Sequence, residues 1–341
     1  MAIRMEPTSD AVPRVLVRAG ERGPDFPASH PYNPRSEMHG WLLSRLAGLG
    51  RIAVNLAWVP PGKETAIHHV HHREEEWLYV LDGRGIAEVG DAEHEVGPGD
   101  FLGFPPGVSH HLRNESGDRL TFLEGGEVIP DVEVADFPRL RRRVVRMGRR
   151  VAVYPLDAEV PFLPGGNELP AGLVGGQDRP VPRVLVRAGE RGAPRVFHHP
   201  ENPRSEVHLE TLSRPAGLVR VAVGVTRVPA GRESYVHHVH LHDEEWMYVL
   251  SGRGTAAIGD REEEIGPGDF LGFPARDPAH HVWSAPGEDL VYVQGGDAWS
   301  RSTIEIVDFP LLGLRKTFVG TRAEATFPLG VKGRADRGAG G

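Results

Sequence analysis

The sequence predicts an all-β protein built as two tandem barrels of the jelly-roll kind, and three observations carry that expectation. First, the chain is written twice. "PRVLVRAGERG" at Pro13–Gly23 returns unchanged at Pro182–Gly192, an offset of 169 residues, and "GPGDFLGFP" at Gly97–Pro105 returns identically at Gly266–Pro274. A repeat this long exceeds the roughly 20 to 50 residues of a solenoid unit and marks a duplicated domain. Second, "RIAVNLAWV" (Arg51–Val59) and "WLYVL" (Trp77–Leu81), with their counterparts "RVAVGVTRV" and "WMYVL", are rich in β-formers. No stretch longer than about ten residues carries a 3.6-residue apolar stripe. Third, "GRG", "GD" and "GPGD" supply turns at roughly 8 to 12 residue spacing, the rhythm of short antiparallel strands.

In chain order, residues 1–150 form the first domain and residues 151–181 a Pro/Gly-rich connector lying over the surface. Residues 182–329 form the second domain and residues 330–341 a disordered tail. Composition narrows the chemistry. At 341 residues the chain has room for two cores, and it contains no cysteine, so a metal must be held by His, Asp or Glu. The net charge of -8 argues against a nucleic-acid partner for the whole chain. Seven arginines in "RLRRRVVRMGRR", Arg139–Arg150, read as a solvated or acid-paired connector after the first barrel. No run of about 18 apolar residues exists to span a membrane. The N-terminus lacks the apolar core of a secretory signal, so the expected location is cytoplasmic.

Candidate chemistry concentrates in "HHVHHREEEWLYVLDGRG", His68–Gly85, and its counterpart His237–Gly254. His-x-His on a strand puts both imidazoles on one face, because side chains alternate with period 2. This selects His69 and His71 in the first copy, with Glu76 opening the next strand, and a Pro-x-Gly turn delivers His110. The second copy repeats the set as His238, His240, Glu245 and His280, with His281 as an alternative to His280. His68, His72, His111, His237, His242 and His281 are expected on the opposite face. Glu75 and Glu244 are set aside because only Glu76 and Glu245 keep the six-residue step to Gly83 and Gly252.

With these residues in view, the chain resembles the cupin superfamily and, being duplicated, a bicupin of two double-stranded β-helix barrels. The family's first motif, G-x5-6-HxH-x3-4-E-x6-G, is matched at Gly62–Gly83 and Gly231–Gly252. Its second, G-x5-PxG-x2-H-x3-N, is matched at Gly99–Asn114. The second copy departs from it, with Arg276, an extra residue in the turn, and Ser284 where the first copy has Asn114.

The resemblance implies one divalent metal ion per domain. Three imidazoles and a carboxylate suit Fe, Mn, Zn, Ni or Cu and leave open positions for a chelating substrate. The expected function is a metal-dependent oxidoreductase, an Fe(II)- or Mn(II)-dependent dioxygenase acting on a small enolisable or aromatic molecule. The alternatives are a non-redox decarboxylase, isomerase, lyase or hydrolase, and a non-catalytic small-ligand binder. Arg51, Asn55 and Arg220, on the strand before the first motif, are candidates for substrate contact, and His39 and His208 for an approach to the pocket. A small-molecule substrate is the expected partner, with no nucleic acid, no membrane, and a possible homodimer.

Overall fold

The computed structural model describes residues 14–158, 183–276, 278–297, 304–320 and 322–330. Each repeat folds as a closed stack of antiparallel strands. The first is built on a seven-stranded sheet whose centre is Phe101–Phe104, Glu76–Asp82, Leu120–Glu127 and Ile52–Val59, hydrogen-bonded in that order. Opposite it lie a three-stranded sheet (His110–Arg113, Gly85–Val89, Ala92–Val96) and a four-stranded one (Arg150–Pro155, Arg142–Met147, Val132–Phe137, Val70–His71). The second repeat has the same sheets in the same order, and its central strand is Glu245–Ser251.

Both faces of the large sheets are buried. From strand Glu76–Asp82, Leu78 and Val80 enter the core inside the first barrel with Phe122 and Leu102. Trp77 and Tyr79 enter a second core shared by the two domains, with Phe101, Leu123, Trp246, Tyr248 and Phe270. Trp77 and Trp246 stack across this interface at 5.2 Å and 5°. A strand covered on both faces reads as an unbroken apolar run instead of an alternating one, which is why "WLYVL" and "WMYVL" are continuous. The repeated "FLGFP" keeps a glycine for the same reason. A Cβ on Gly103 would lie 2.7 Å from Ala216 Cβ of the other domain, and one on Gly272 would lie 2.6 Å from Ala47 Cβ.

The domains also exchange strands. Leu16–Val17, at the start of the first repeat, pairs with Phe270–Phe273 of the second, and Leu185–Val186 pairs with Phe101–Phe104 of the first. The structural units therefore differ from a simple cut of the sequence into 1–150 and 182–329. The first barrel also runs past residue 150, because Arg150–Pro155 pairs with Arg142–Met147 as a hairpin. The connector expected from residue 151 thus begins inside a strand, and its stretch from 159 lies outside the described residues, as does the expected tail from 331. The arginine-rich segment runs into that hairpin, and its Arg139, Arg141 and Arg143 are ion-paired. Arg143 binds Asp136 at 2.8 Å and Arg139 binds Glu88 at 3.0 Å. Among the described residues helix is confined to the single turn Leu43–Leu46 and short 3-10 turns, and none is long and apolar enough to cross a membrane.

Candidate metal centres

In the first barrel the short strand Val70–His71 is flanked by a bridge in which His69 and His110 exchange backbone hydrogen bonds. That pairing brings a residue of the first motif against one of the second. The turn before His110 is anchored by Gly107 N–H donating to His71 C=O at 2.8 Å, with Gly107 at φ +88°. Glu76, the first residue of its strand, points into the barrel from the facing sheet. His110 Nε2 lies 3.0 Å and His69 Nε2 3.8 Å from Glu76 Oε2, and His71 Nε2 lies 3.4 Å from Oε1.

The opposite ring nitrogens are already committed. Nδ1 of His69 donates to Ile67 C=O at 2.7 Å, that of His110 to Val108 C=O at 3.2 Å, and that of His71 to Glu133 at 3.1 Å. Each Nδ1–H bond fixes the tautomer, so the three Nε2 lone pairs are turned to one point beside a carboxylate. His71 Nε2 is buried without a hydrogen-bond partner, the condition of a nitrogen presented to an ion. Phe104 stacks on His110 at 3.9 Å and locks its ring.

The second barrel repeats this arrangement. His280, His240 and His238 bring Nε2 to 3.1, 3.5 and 3.7 Å from the Glu245 carboxylate. Nδ1 of His238 donates to Val236 C=O at 2.8 Å, that of His280 to Pro278 C=O at 3.3 Å, and that of His240 faces Glu305 at 3.3 Å. His280 joins this set, whereas His281 turns to His237, Nδ1 to Nδ1 at 3.3 Å. Arg276 stands where the first copy has Gly107. It donates its backbone N–H to His240 C=O at 2.7 Å and takes φ +81°, so the turn survives the change of residue.

Electrostatics favour a cation at both points. Burial alone would raise the Glu76 carboxyl, but the imidazoles of His71, His110 and His69 outweigh it and hold Glu76 well below the usual carboxylate range. Glu245 is held down in the same way against its own burial. Burial drives His69 well below its ordinary value and brings His280 down to about 4, so these two rings are neutral at pH 7, whereas the Glu245 and Glu305 carboxylates outweigh burial at His240 and raise it to about 9. Behind the rings lies an acidic layer, Glu74 and Glu133 in one domain and Asp243 and Glu305 in the other.

Other expectations meet different surroundings. His72 pairs with Asp136 at 2.8 Å, and His242 faces Glu305 at 3.6 Å, sharing that carboxylate with His240 instead of facing away from it. His68 is buried. His111 bridges Glu88 and Glu64 at 3.0 and 3.4 Å and borders the first cavity, as His281 borders the second. His39 stacks on Trp58, and His208 accepts from Arg227 at 2.8 Å. Arg51 and Arg220 depart from the pocket expected for them. Arg51 binds Asp297 at 2.7 Å and Arg220 binds Glu127 at 2.8 Å, each reaching from one domain to the other. Asn55 does line the first cavity, where its Nδ2 donates to Glu124 at 3.2 Å.

Sequence reasoning passed over Glu124. Burial raises its carboxyl to about 7 despite the Asn55 hydrogen bond, and the nearby Glu76 charge adds to the rise. A lone glutamate inside the apolar run "LTFLEGG" was the available signal. Glu75 and Glu244 also have a use. Glu75 accepts the backbone N–H groups of Val219, Arg220 and Val221 at 2.8 to 3.1 Å. Glu244 accepts those of Gly50, Arg51 and Ile52 at 2.9 to 3.2 Å.

Two tandem jelly-roll barrels, each with a His3Glu donor set suited to a divalent ion, define a two-centre metal-binding β-barrel protein. Residues 55–125 and 224–293 each match the model of the cupin domain. The chain belongs to the cupin family, in its duplicated, bicupin form. Among curated proteins it is 26% identical over 220 residues to the quercetin 2,3-dioxygenase of Bacillus subtilis, 61% of this chain and 62% of that one. It is 38% identical over 58 residues to an uncharacterized protein of Methanocaldococcus jannaschii, 17% of this chain and 46% of that one. The matches thus span less than two thirds of either relative. A solved structure, that of a putative glyoxylate induced protein from Pseudomonas aeruginosa, superposes with a TM-score of 0.53 at 14% identity, covering 86% of this chain and 93% of that one.

Proposed function

We propose that this protein is a metal-dependent oxidoreductase, an Fe(II)- or Mn(II)-dependent dioxygenase acting on a small enolisable or aromatic molecule. His69, His71, Glu76 and His110 hold one ion, and His238, His240, Glu245 and His280 the other. The observation that carries the reading is the second donor set opening onto a cavity of about 580 Å³ with Met247, Phe273, Tyr292 and Phe309 in its wall. Apolar and aromatic walls around a few polar groups suit a flat organic ligand. The likeness to a quercetin 2,3-dioxygenase supports the same class. A divalent ion there supplies a Lewis acid able to hold a chelating substrate and O2 together. The protein's part is to orient the rings, exclude water behind Phe273, and hold the substrate against the apolar wall.

A second reading, a non-redox decarboxylase, isomerase, lyase or hydrolase, is favoured by Glu124, a cavity-facing acid with its pKa brought to about 7, the range of a general acid or base. The test is oxygen uptake by chain reconstituted with Fe(II) or Mn(II) against a panel of flavonols, catechols and β-diketones. Substrate-dependent uptake in step with product is expected, and turnover that proceeds equally without oxygen would overturn the oxidoreductase reading in favour of the second. Tight binding without product would leave a non-catalytic binder. A small molecule is the partner of either enzyme. The expected homodimer is tested by native mass.

A further inference from the structure

The two donor sets match closely, but their cavities do not. The first has a volume of about 150 Å³ and the second about 580 Å³, the second running on past its donor set to Leu218 and Val219 beside the shared core. Registers show which residues differ. Glu124 faces Asn55 across the strand pair of the first barrel, and Gln294 faces Gly224 at the same place in the second. Asn55 and Glu124 are joined by a hydrogen bond and both border the first cavity. An added Cβ on Gly224 would lie 2.8 Å from Leu209 Cδ1 and 2.9 Å from the Glu210 carbonyl oxygen, so no side chain enters the cavity from this position. Tyr235 borders the second cavity where the first repeat has Ala66. Lys316, paired with Val307, also borders it, and the corresponding partner of Ala135 is Val144.

We propose that the two centres are unequal: the C-terminal centre admits a multi-ring, anionic aromatic chelator, and the N-terminal centre is closed to it by the Asn55–Glu124 pair. This inference rests on the aromatic-substrate reading above and assigns it to one centre.

Volume decides first. Pockets that bury drug-sized organic ligands measure roughly 300 to 1,000 Å³, a range that contains the second cavity and excludes the first. Charge points the same way. The first cavity presents the acid Glu124 beside Asn55, whereas the second has the neutral amide of Gln294 at that place and adds the cation Lys316. Lys316 Nζ lies 5.1 Å over the Phe309 ring, with Glu201 at 3.1 Å as its present partner. A deprotonated hydroxy-ketone entering this cavity meets Lys316 and the neutral phenol of Tyr235 in its lining, because burial raises the Tyr235 hydroxyl to about 12. In the first cavity the same anion meets Glu124 and has no room beyond it.

The test is equilibrium binding of 3-hydroxyflavone, a fluorescent three-ring metal chelator, to zinc-loaded full-length chain without oxygen turnover, with oxalate as the small chelator. Wild type is expected to bind one flavonol and two oxalates. His240→Ala, which disables the second centre, should abolish flavonol binding, and His71→Ala should keep one, each variant first being shown to hold one zinc ion. The double variant N55G/E124Q keeps every metal ligand and should move the flavonol stoichiometry from one to two, an independent readout if a histidine variant fails to fold. Two flavonols on wild type, or one that survives His240→Ala and is lost in His71→Ala, would overturn the inequality while leaving the aromatic-substrate reading intact. A stoichiometry of one in N55G/E124Q would overturn the closure assigned to that pair. Oxalate binding with no flavonol on any chain would overturn the aromatic-substrate reading, and this inference with it.

Discussion

At the scale of the residue, Glu124 gives the most direct handle on charge inside the first barrel. Its folded-state pKa, about 7, lies above the ordinary 4.5 because burial disfavours the carboxylate. A raised acid pKa means the folded chain binds the proton more tightly than the unfolded chain, so stability falls as pH rises between those values. Glu124→Gln should therefore leave the metal-free protein unchanged in melting temperature near pH 4 and stabilise it above pH 7 by about 1 to 3 kcal/mol, the scale set by roughly 1.4 kcal/mol per pKa unit. Thermal melts of both chains across that range check it, and a difference independent of pH would contradict the assignment.

The six-residue step to Gly83 separated Glu76 from Glu75 in the sequence, and Glu76 opens the strand whose Leu78 and Val80 enter the first barrel. Alternation with period 2 could not say which face of Arg51–Val59 looks inward. Arg51 and Arg220 were read toward the pocket, but they stand at the strand starts, where both domains meet. Glu124 escaped because one polar residue in an apolar run carries no periodicity.

At the scale of the element, the turn ahead of the third histidine shows how much distortion a donor set tolerates. Gly107 takes its left-handed conformation without steric cost, and Arg276 takes nearly the same φ with a Cβ in the way. Arginine in place of glycine thus adds strain at this turn without displacing the imidazole. Arg276→Gly should stabilise the chain by about 1 kcal/mol, offset in part by the greater freedom of glycine when unfolded. Urea unfolding measures it, and a loss of more than that amount would show that the arginine side chain, whose Nε reaches Leu241 C=O at 3.3 Å, is the larger contribution.

The strands themselves were legible, because β-branched and aromatic runs between Gly-Pro-Gly-Asp and Gly-Arg-Gly turns admit few other structures. The boundary at residue 150 was not. Charge suggested a connector, yet Arg142–Met147 pairs with both Val132–Phe137 and Arg150–Pro155, and Arg143 finds Asp136 on the neighbouring strand.

At the scale of the whole molecule, the two barrels are held as one body by a shared core, exchanged strands and a reciprocal pair of carboxylates. Glu75 and Glu244 each precede a metal-facing glutamate and capture three backbone N–H groups of the opposite domain. Removing one leaves three donors without their acceptor, each such loss being worth about 1 to 3 kcal/mol where water cannot replace it. Glu75→Ala should therefore cost about 3 kcal/mol or more in denaturant unfolding, well above the fractions of a kcal/mol of an exposed ion pair, and a cost below 1 kcal/mol would contradict the clamp. Duplication was plain in the repeated peptides, but strand exchange was not, because Leu16–Val17 pairs equally well with either copy of an identical "DFLGF" segment.

The central claim is that two His3Glu sets each hold one divalent ion. It is tested most directly by metal content after anaerobic purification of wild type, Glu76→Ala and Glu245→Ala. Two ions per wild-type chain and one per chain in each variant are expected. Full occupancy in both variants would contradict it.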